Sequence, residues 1–287
     1  MGLRVALVVH PTRQHSLMAA QRVAALLDGH GALTAIAGLD EGFVLPEALA
    51  DVARVDGDLE GVDVVLTLGG DGTFLRGAHL AHRVGVPVLG VNLGRLGFLA
   101  EVEPDDLEAA VAILASGAYE IDERRTLTAV ASDEAGRVID EGWALNEVSV
   151  EKSARQRVLD LVVEVSGTHL ARVPVDAIVV ATPTGSTAYS FSAGGPILAP
   201  GVAGLVVTPV APHSLFNRTL VAGPHETVRV AVSRDQPPAV VSCDGRQPVE
   251  VPAGGAVEVR LDGVPLRLVR IRPADFWDLV HRKFGLR

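Results

Sequence analysis

The sequence predicts an α/β domain, then an all-β domain, then a helical segment that packs back on the first. Strand and helix signals alternate over roughly the first 120 residues. Between Leu127 and Ile271 short β-rich runs follow one another with no convincing helical stripe, and after Pro273 helical spacing returns. Hydrophobic residues make up 48% and charged residues 21%, ordinary globular usage that excludes intrinsic disorder.

The elements follow in order. Leu3–Val9 is a continuous apolar run ending at His10-Pro11, which suits a strand buried on both faces. Leu17, Ala20, Val23, Ala24 and Leu27 recur at helical spacing, and Asp28-Gly29 closes that helix. Val62–Leu68 is a second buried strand running straight into Gly69-Gly70-Asp71-Gly72; Phe74–His82 then reads as a helix and Val86–Val91 as a third strand. Pro104-Asp105-Asp106 opens a further helix, with proline and acids where a first turn accepts them. Its apolar stripe is Leu107, Ala110, Val111 and Leu114, and Gly117 ends it. Alternation of this kind implies a parallel sheet and an open α/β (Rossmann-like) domain.

The β-rich runs are Val158–Val165, Ala177–Val180, Leu205–Val207, Val228–Val232, Val257–Leu261 and Leu266–Ile271, separated by Gly, Pro, Asp and Ser. They read as a layered-sheet or sandwich domain. Phe276, Leu279, Val280 and Phe284 then share one helical face, which needs a surface to cover it. The expected division is residues 1–122 as the α/β domain, completed by 272–287, with 123–271 as the all-β domain.

The chain has 25 Lys+Arg against 35 Asp+Glu, a formal charge of −10. Such a balance excludes a sequence-tolerant nucleic-acid binder, which needs cations to displace counterions. The single cysteine, Cys243, excludes an internal disulfide and a cysteine zinc site, and a reducing cytoplasm is the expected compartment. No apolar run approaches the ~20 residues that cross a bilayer, so no membrane partner is expected. Met1-Gly2-Leu3-Arg4-Val5-Ala6 is too short an apolar stretch for a signal peptide and has Ala6 where myristoylation wants Ser or Thr.

Four motifs carry chemistry. In Thr67-Leu68-Gly69-Gly70-Asp71-Gly72-Thr73-Phe74 a strand meets three glycines around one acid, and a helix follows. Glycines let a ligand approach the backbone and a helix start offers N–H groups to an anion, so Gly69, Gly70, Gly72 and Thr73 are expected to contact phosphate. The loop has neither a Walker ending nor a Rossmann fingerprint. Without a lysine, neutralising charge must come from Mg²⁺ or from arginines. In Val91–Leu99, after the third strand, Gly94 and Gly97 imply a tight turn at a carboxyl strand end. Arg95 there is either a phosphate partner or a solvated surface cation.

In Leu145-Asn146-Glu147-Val148 an amide and a carboxylate lie between β-type residues, either to bond sugar hydroxyls or simply at a hairpin edge. Asp176–Pro196 is a buried strand running into a segment in which seven of the eleven residues Thr182–Ser192 carry hydroxyls. Such a loop can offer short donors and acceptors to a nucleotide, with Tyr189 as a stacking face; serine or threonine caps of a helix explain it too. No Gly-x-Ser-x-Gly elbow exists, which excludes the common serine-hydrolase arrangement. His79 and His82 lack a third ligand of matching spacing, Asp105-Asp106 suit a helix start, and Cys243 reads as buried and inert.

Together, Gly69–Thr73, Asn92–Leu99, Asn146-Glu147, Thr182–Pro196 and Pro212-His213-Ser214-Leu215 resemble the NAD kinases, in that order, from about Leu3 to the Cys243 region. The Gly-Gly-Asp-Gly-Thr core is shared with lipid kinases and loosely with phosphofructokinases; the Thr182–Pro196 block is far more specific. The resemblance implies transfer of the γ-phosphoryl of ATP, possible too from polyphosphate, to the 2′-hydroxyl of the adenosine ribose of NAD. It implies the same α/β plus all-β architecture, with Asp71 as general base and Gly72 beside it in the NAD site. Asn146 and Glu147 match the pair that holds NAD, and Asp176 with Thr187, Ala188, Tyr189, Ser190 and Ser192 match a second anchoring region. Arg76 and Arg157 fall where the family has basic or polar contacts. Mg²⁺ is expected to arrive with ATP, and a homodimer or homotetramer is the implied assembly.

The sequence departs from the family at Pro174, before Asp176, and after Asp244-Gly245, where Arg246 precedes the expected glutamine, Gln247. Two rival readings remain: a lipid kinase with the same glycine loop, and a non-catalytic dinucleotide-binding regulator. The first wants an apolar or basic membrane-facing surface, and the second has no need of Asp71.

Overall fold

The computed structural model describes residues 2–10, 12–38, 47–49, 52–55, 59–94, 97–153, 158–214, 217–273 and 275–286. Two units divide the chain: Met1–Glu123 together with Leu266–Arg287, and Arg124–Pro265.

In the first unit the apolar runs become β1 (Arg4–Val9), β2 (Leu33–Ala37), β3 (Ala53–Val55), β4 (Val64–Gly69), β5 (Val88–Asn92) and β6 (Glu120–Arg124). The helices are α1 (Gln14–Gly29), α2 (Asp71–Val84) and α3 (Leu107–Ser116). Strands β1 to β5 pair in parallel. Leu7, Leu66, Leu68 and Leu89 meet Ala20, Val23 and Leu27 of α1 and Leu107, Ala110, Val111 and Leu114 of α3 in one core. The opposite face takes α2, so closely that a Cβ on Gly77 would lie 2.2 Å from the Thr67 methyl. Covered on both faces, β4 is buried along its whole length, which explains its unbroken apolar run.

The second unit contains β7 (Leu127–Ser132), β8 (Val138–Ala144), β9 (Glu147–Lys152), β10 (Leu159–Val165), β11 (Thr168–Val175) and β12 (Ala177–Ala181). After a short helix, α4 (Tyr189–Ser192), come β13 (Leu205–Val210), β14 (Leu220–Ala222), β15 (Val228–Val232), β16 (Ala239–Cys243), β17 (Val249–Val251) and β18 (Ala256–Arg260). Among the described residues they form two six-stranded sheets, in the orders β11-β10-β15-β18-β7-β8 and β14-β13-β12-β9-β16-β17. The alternating apolar residues of each, such as Leu161, Val230 and Val257 from one and Val150, Ile178 and Val207 from the other, fill the space between them. On the outer face of β12 and β13, Val179, Ala181, Leu198 and Val206 pack with Tyr189, so β12 too is buried on both sides.

The last strand corrects an expectation. Leu266–Ile271 reads as part of the all-β domain, but β19 (Leu266–Arg270) pairs in parallel with β5 and lies between β5 and β6. The chain therefore returns to the α/β unit at Leu266, not at 272. The cause is ionic as well as apolar. Arg270 binds Glu101 at 2.8 Å and Asp122 at 2.9 Å, and Glu101 also accepts the Ile271 and Arg272 N–H groups. Helix α5 (Phe276–Phe284) follows, capped by the Asp275 carboxylate, which accepts the Trp277 and Asp278 N–H groups at 3.0 Å. Strands β2 and β3 escaped the sequence reading, being short and partly exposed. No helix of the described residues is long and apolar enough to cross a membrane.

Candidate active site

In the α/β unit the candidate residues gather at the carboxyl end of β4. Helix α2 begins three residues earlier than Phe74, so Asp71 is its first residue and Gly70 its N-cap. The helix start favours an acid there and leaves its first N–H groups without an intrahelical acceptor. Gly69 is dictated by packing, since a Cβ would sit 2.4 Å from the Thr73 hydroxyl; Gly70 and Gly72 have open space before them. That space is a cavity of about 720 Å³, lined by His10, Arg13, Gly70, Asp71, Gly72, Thr73, Arg76 and Gly94.

The loop after β5 closes on Asp71. Its carboxylate accepts the Phe98 N–H at 3.3 Å and the Leu99 N–H at 3.4 Å. Gly97 lies so close that a Cβ would meet Asp71 Oδ1 at 2.1 Å. Asn92, buried at the end of β5, accepts the Gly94 N–H at 3.1 Å and shapes the same loop. The structure thus unites the first two motifs. Arg95 lies outside the described residues, as does Arg157.

Arg76, expected to contact NAD, lies on this glycine-loop side, where its guanidinium donates to the Val9 carbonyl. His10 and Arg13 join it in lining the cavity and were missed in the sequence; their place just after a buried strand at its carboxyl end was the available signal. Burial, with the charges of Arg13, Arg76 and His15, holds the His10 imidazole below its ordinary value. The donor set fits a divalent ion carried by a triphosphate: among the described residues Asp71 is the one carboxylate lining the cavity. Among the described residues, no group of three His, Cys, Asp or Glu side chains is placed to hold a metal.

In the β unit the candidate residues gather at the turn from β8 to β9. Asp244, at a positive φ of 51°, clamps that turn. Its carboxylate accepts the N–H groups of Leu145 at 2.8 Å, Asn146 at 2.7 Å and Glu147 at 3.2 Å. Sequence reasoning noted Asp244-Gly245 only as a landmark; an acid followed by glycine after a strand was the sign of such a clamp. The Thr182 segment docks on the same turn. Thr182 donates its N–H to the Asn146 carbonyl at 2.8 Å and its hydroxyl to that of Leu145 at 2.6 Å. The third and fourth motifs are therefore one structure.

The hydroxyls of the Thr182–Ser192 segment are largely bonded within the protein. Ser186 bonds the Pro183 carbonyl and the Leu198 N–H, Thr187 the Thr184 carbonyl, and Ser192 the Ala188 carbonyl. Ser190 is fully buried, its hydroxyl 2.8 Å from that of Thr208, so it supports the loop from behind. These hydroxyls chiefly replace the backbone partners that an irregular segment lacks. Asp176 lies at the far end of β12 from Glu147, yet near Tyr189 of the segment it was grouped with. It precedes β12, and Glu147 pairs with Ala181 at the other end, roughly 17 Å along the strand. The Asp176 carboxylate is paired with Lys152 at 2.5 Å. Tyr189 lies over this strand, and burial, with the charges of Glu151, Asp176 and Glu147, raises its phenol above the ordinary value.

Arg246 folds back to donate to the carbonyls of Cys243 and Trp143 and stacks on the Trp143 ring. Gln247 lines a separate cavity of 390 Å³ with Asp140, Gly142 and Cys243. The Cys243 thiol is only partly buried, and burial pushes it up to about 11, so it stays protonated.

Glu147 is the most perturbed acid here. Burial, then the charge of Asp244, pushes its carboxyl up to about 7, against a hydrogen bond from the Tyr189 N–H. Its Oε2 has no hydrogen-bond partner among the described residues. A carboxyl that holds its proton more tightly when folded stabilises fully below its ordinary value near 4.5 and loses that contribution as pH rises to about 7. Glu147→Gln should therefore stabilise the protein relative to the parent at pH 8, by at most about 3 kcal/mol, with a higher melting temperature, and change it little at pH 5. Equal differences at the two pH values, read by scanning calorimetry, contradict this assignment.

A strand, glycine turn and helix start on an α/β unit, joined in one chain to a two-sheet β unit, form the fold of a dinucleotide kinase. The crystal structure of yeast NADH kinase complexed with NADH matches it with a TM-score of 0.86 at 23% identity, covering 100% of this chain and 89% of that one. Residues 5–119 match the ATP-NAD kinase N-terminal domain and residues 145–271 the ATP-NAD kinase C-terminal domain. A NAD kinase of Mycobacterium leprae is 42% identical over 294 residues, 98% of this chain and 94% of its own. NAD kinase 2 of Streptomyces avermitilis is 48% identical over 228 residues, 79% of this chain and 75% of its own. The chain belongs to the NAD kinase family.

Proposed function

We propose that the chain transfers the γ-phosphoryl group of ATP to the 2′-hydroxyl of the adenosine ribose of NAD, giving NADP and ADP. The observation that carries this reading is Asp71, a carboxylate fixed by two backbone N–H groups at the edge of a cavity lined by His10, Arg13 and Arg76. The open glycines and the α2 start receive phosphate oxygens; Arg13 and Arg76 supply the positive charge that a loop lysine supplies elsewhere. Magnesium bound to the triphosphate would add charge neutralisation at the transferring group.

In the β unit, Asn146 and Glu147 hold NAD, with the loop Thr187–Ser192 shaping the same region. The 2′-hydroxyl gives its proton to the Asp71 carboxylate as its oxygen bonds the γ-phosphorus and the bond to the ADP oxygen breaks. Positioning and charge neutralisation supply most of the acceleration for such a transfer. A cytoplasmic location and a homodimer or homotetramer complete the reading, supported by the lone cysteine and the family; light scattering on the purified protein tests the assembly.

A donor-by-acceptor matrix tests the reaction: ATP, GTP and polyphosphate against NAD, NADH and diacylglycerol, with magnesium present. NADP formed from ATP and NAD is the expected result, and the polyphosphate and NADH arms define the remaining specificity. Phosphorylation of diacylglycerol alone, or of nothing, overturns the proposal.

A further inference from the structure

We propose that α5 is a positioning element for Asp71, acting through Phe98. The inference rests on the reading of Asp71 as the base. The two N–H bonds to its carboxylate, at 3.3 and 3.4 Å, are longer than the usual 2.9–3.0 Å, so each holds weakly. Something else must fix the segment that donates them. Phe98 supplies the link, because its N–H faces Asp71 while its ring packs against α5.

The ring lies 6.4 Å from that of Phe276 and 6.0 Å from that of Phe284, and Lys283 Nζ sits 4.8 Å from its centroid. Aromatic pairs and a cation over a ring each stabilise beyond the area they bury. Gly97, with no room for a Cβ beside the carboxylate, fixes the other side. The grip is mutual. A nine-residue helix is marginal alone in water, and besides its Asp275 cap α5 buries only Val280 fully. The last helix of the chain thereby sets the orientation of an acid near its beginning, through one aromatic residue.

The test is a double-mutant cycle in the full-length protein, with Phe98→Ala made in the parent and in Asp71→Asn, and kcat, KM for NAD and melting temperature measured for all four. Phe98→Ala should lower kcat between about ten- and a hundredfold with KM for NAD unchanged, and Phe98→Tyr should restore it. In the Asp71→Asn background Phe98→Ala should cost nothing further, because its effect runs through that carboxylate. Phe284→Ala, more than a third exposed at 38%, is the milder variant should Phe98→Ala not fold, and it should show a smaller loss with the same dependence on Asp71. Losses that multiply in both backgrounds, or that appear in KM, overturn the inference and leave the base assignment standing. Near-normal turnover in Asp71→Asn alone overturns both.

Discussion

Asp71→Asn lowers the rate of NADP formation by on the order of 10²–10⁴-fold, the usual worth of a positioned general base. NAD binding, followed by calorimetry, survives the same substitution, since Asn146 and Glu147 are untouched. The replacement is nearly isosteric but not innocent. The carboxylate accepts two N–H groups, from Phe98 and Leu99, whereas an amide has one oxygen and must present an NH₂ to the other donor. One long hydrogen bond is lost, worth about 1 kcal/mol or less, which is small beside the catalytic loss. A variant that folds, binds NAD and turns over near the parental rate excludes Asp71 as the base.

Gly185→Ala should be the most damaging single change in the β unit. A Cβ there would lie 2.0 Å from the Asn146 carbonyl oxygen, 2.4 Å from its carbon and 2.5 Å from its Cα. All three are backbone atoms, so no rotamer relieves the overlap, and the turn carrying Asn146 and Glu147 has to move. That movement breaks the Thr182 N–H bond to Asn146 and strains the three-bond clamp from Asp244. Overpacking of this kind costs about 1–3 kcal/mol, and a similar loss at the binding turn weakens NAD affinity about tenfold or more. Calorimetric titration with NAD and a melting scan measure the two effects. Parental affinity in the variant excludes that turn from the NAD site. Gly97→Ala is the informative contrast, because the obstruction there is the Asp71 side chain, which can swing away at the expense of turnover.

Much of this was legible in the sequence because periodicity reports burial. β4 and β12 are buried on both faces and read as unbroken apolar runs, and each leads into a motif at its carboxyl end. What escaped has identifiable causes. Sheet membership does not follow sequence order, so β19 reads as one more β-rich run although its partner is β5. A hydroxyl-rich segment looks the same whether it serves a ligand or itself, and the bonds of Ser186 and Ser190 to the protein come to light only in three dimensions. Asp176 stands near Thr182 in number but at the opposite end of a fully extended strand. Asp244 and His10 act through space, on residues about 100 and 60 positions away, and no local pattern encodes that reach.

The placement of β19 also bears on how the protein is made. Its slot lies between β5 and β6, yet a ribosome emits about 170 residues after Asn92 before Leu266 appears. At 5–20 residues per second the nascent sheet waits roughly ten to thirty seconds with the Val88 end of that β5 edge unfilled, the Val91 end being bonded to Val102. An open edge is a template for pairing with other chains, so shortening the protein before Leu266 should yield aggregates in the cell, and slowing translation late in the message should lengthen the vulnerable interval.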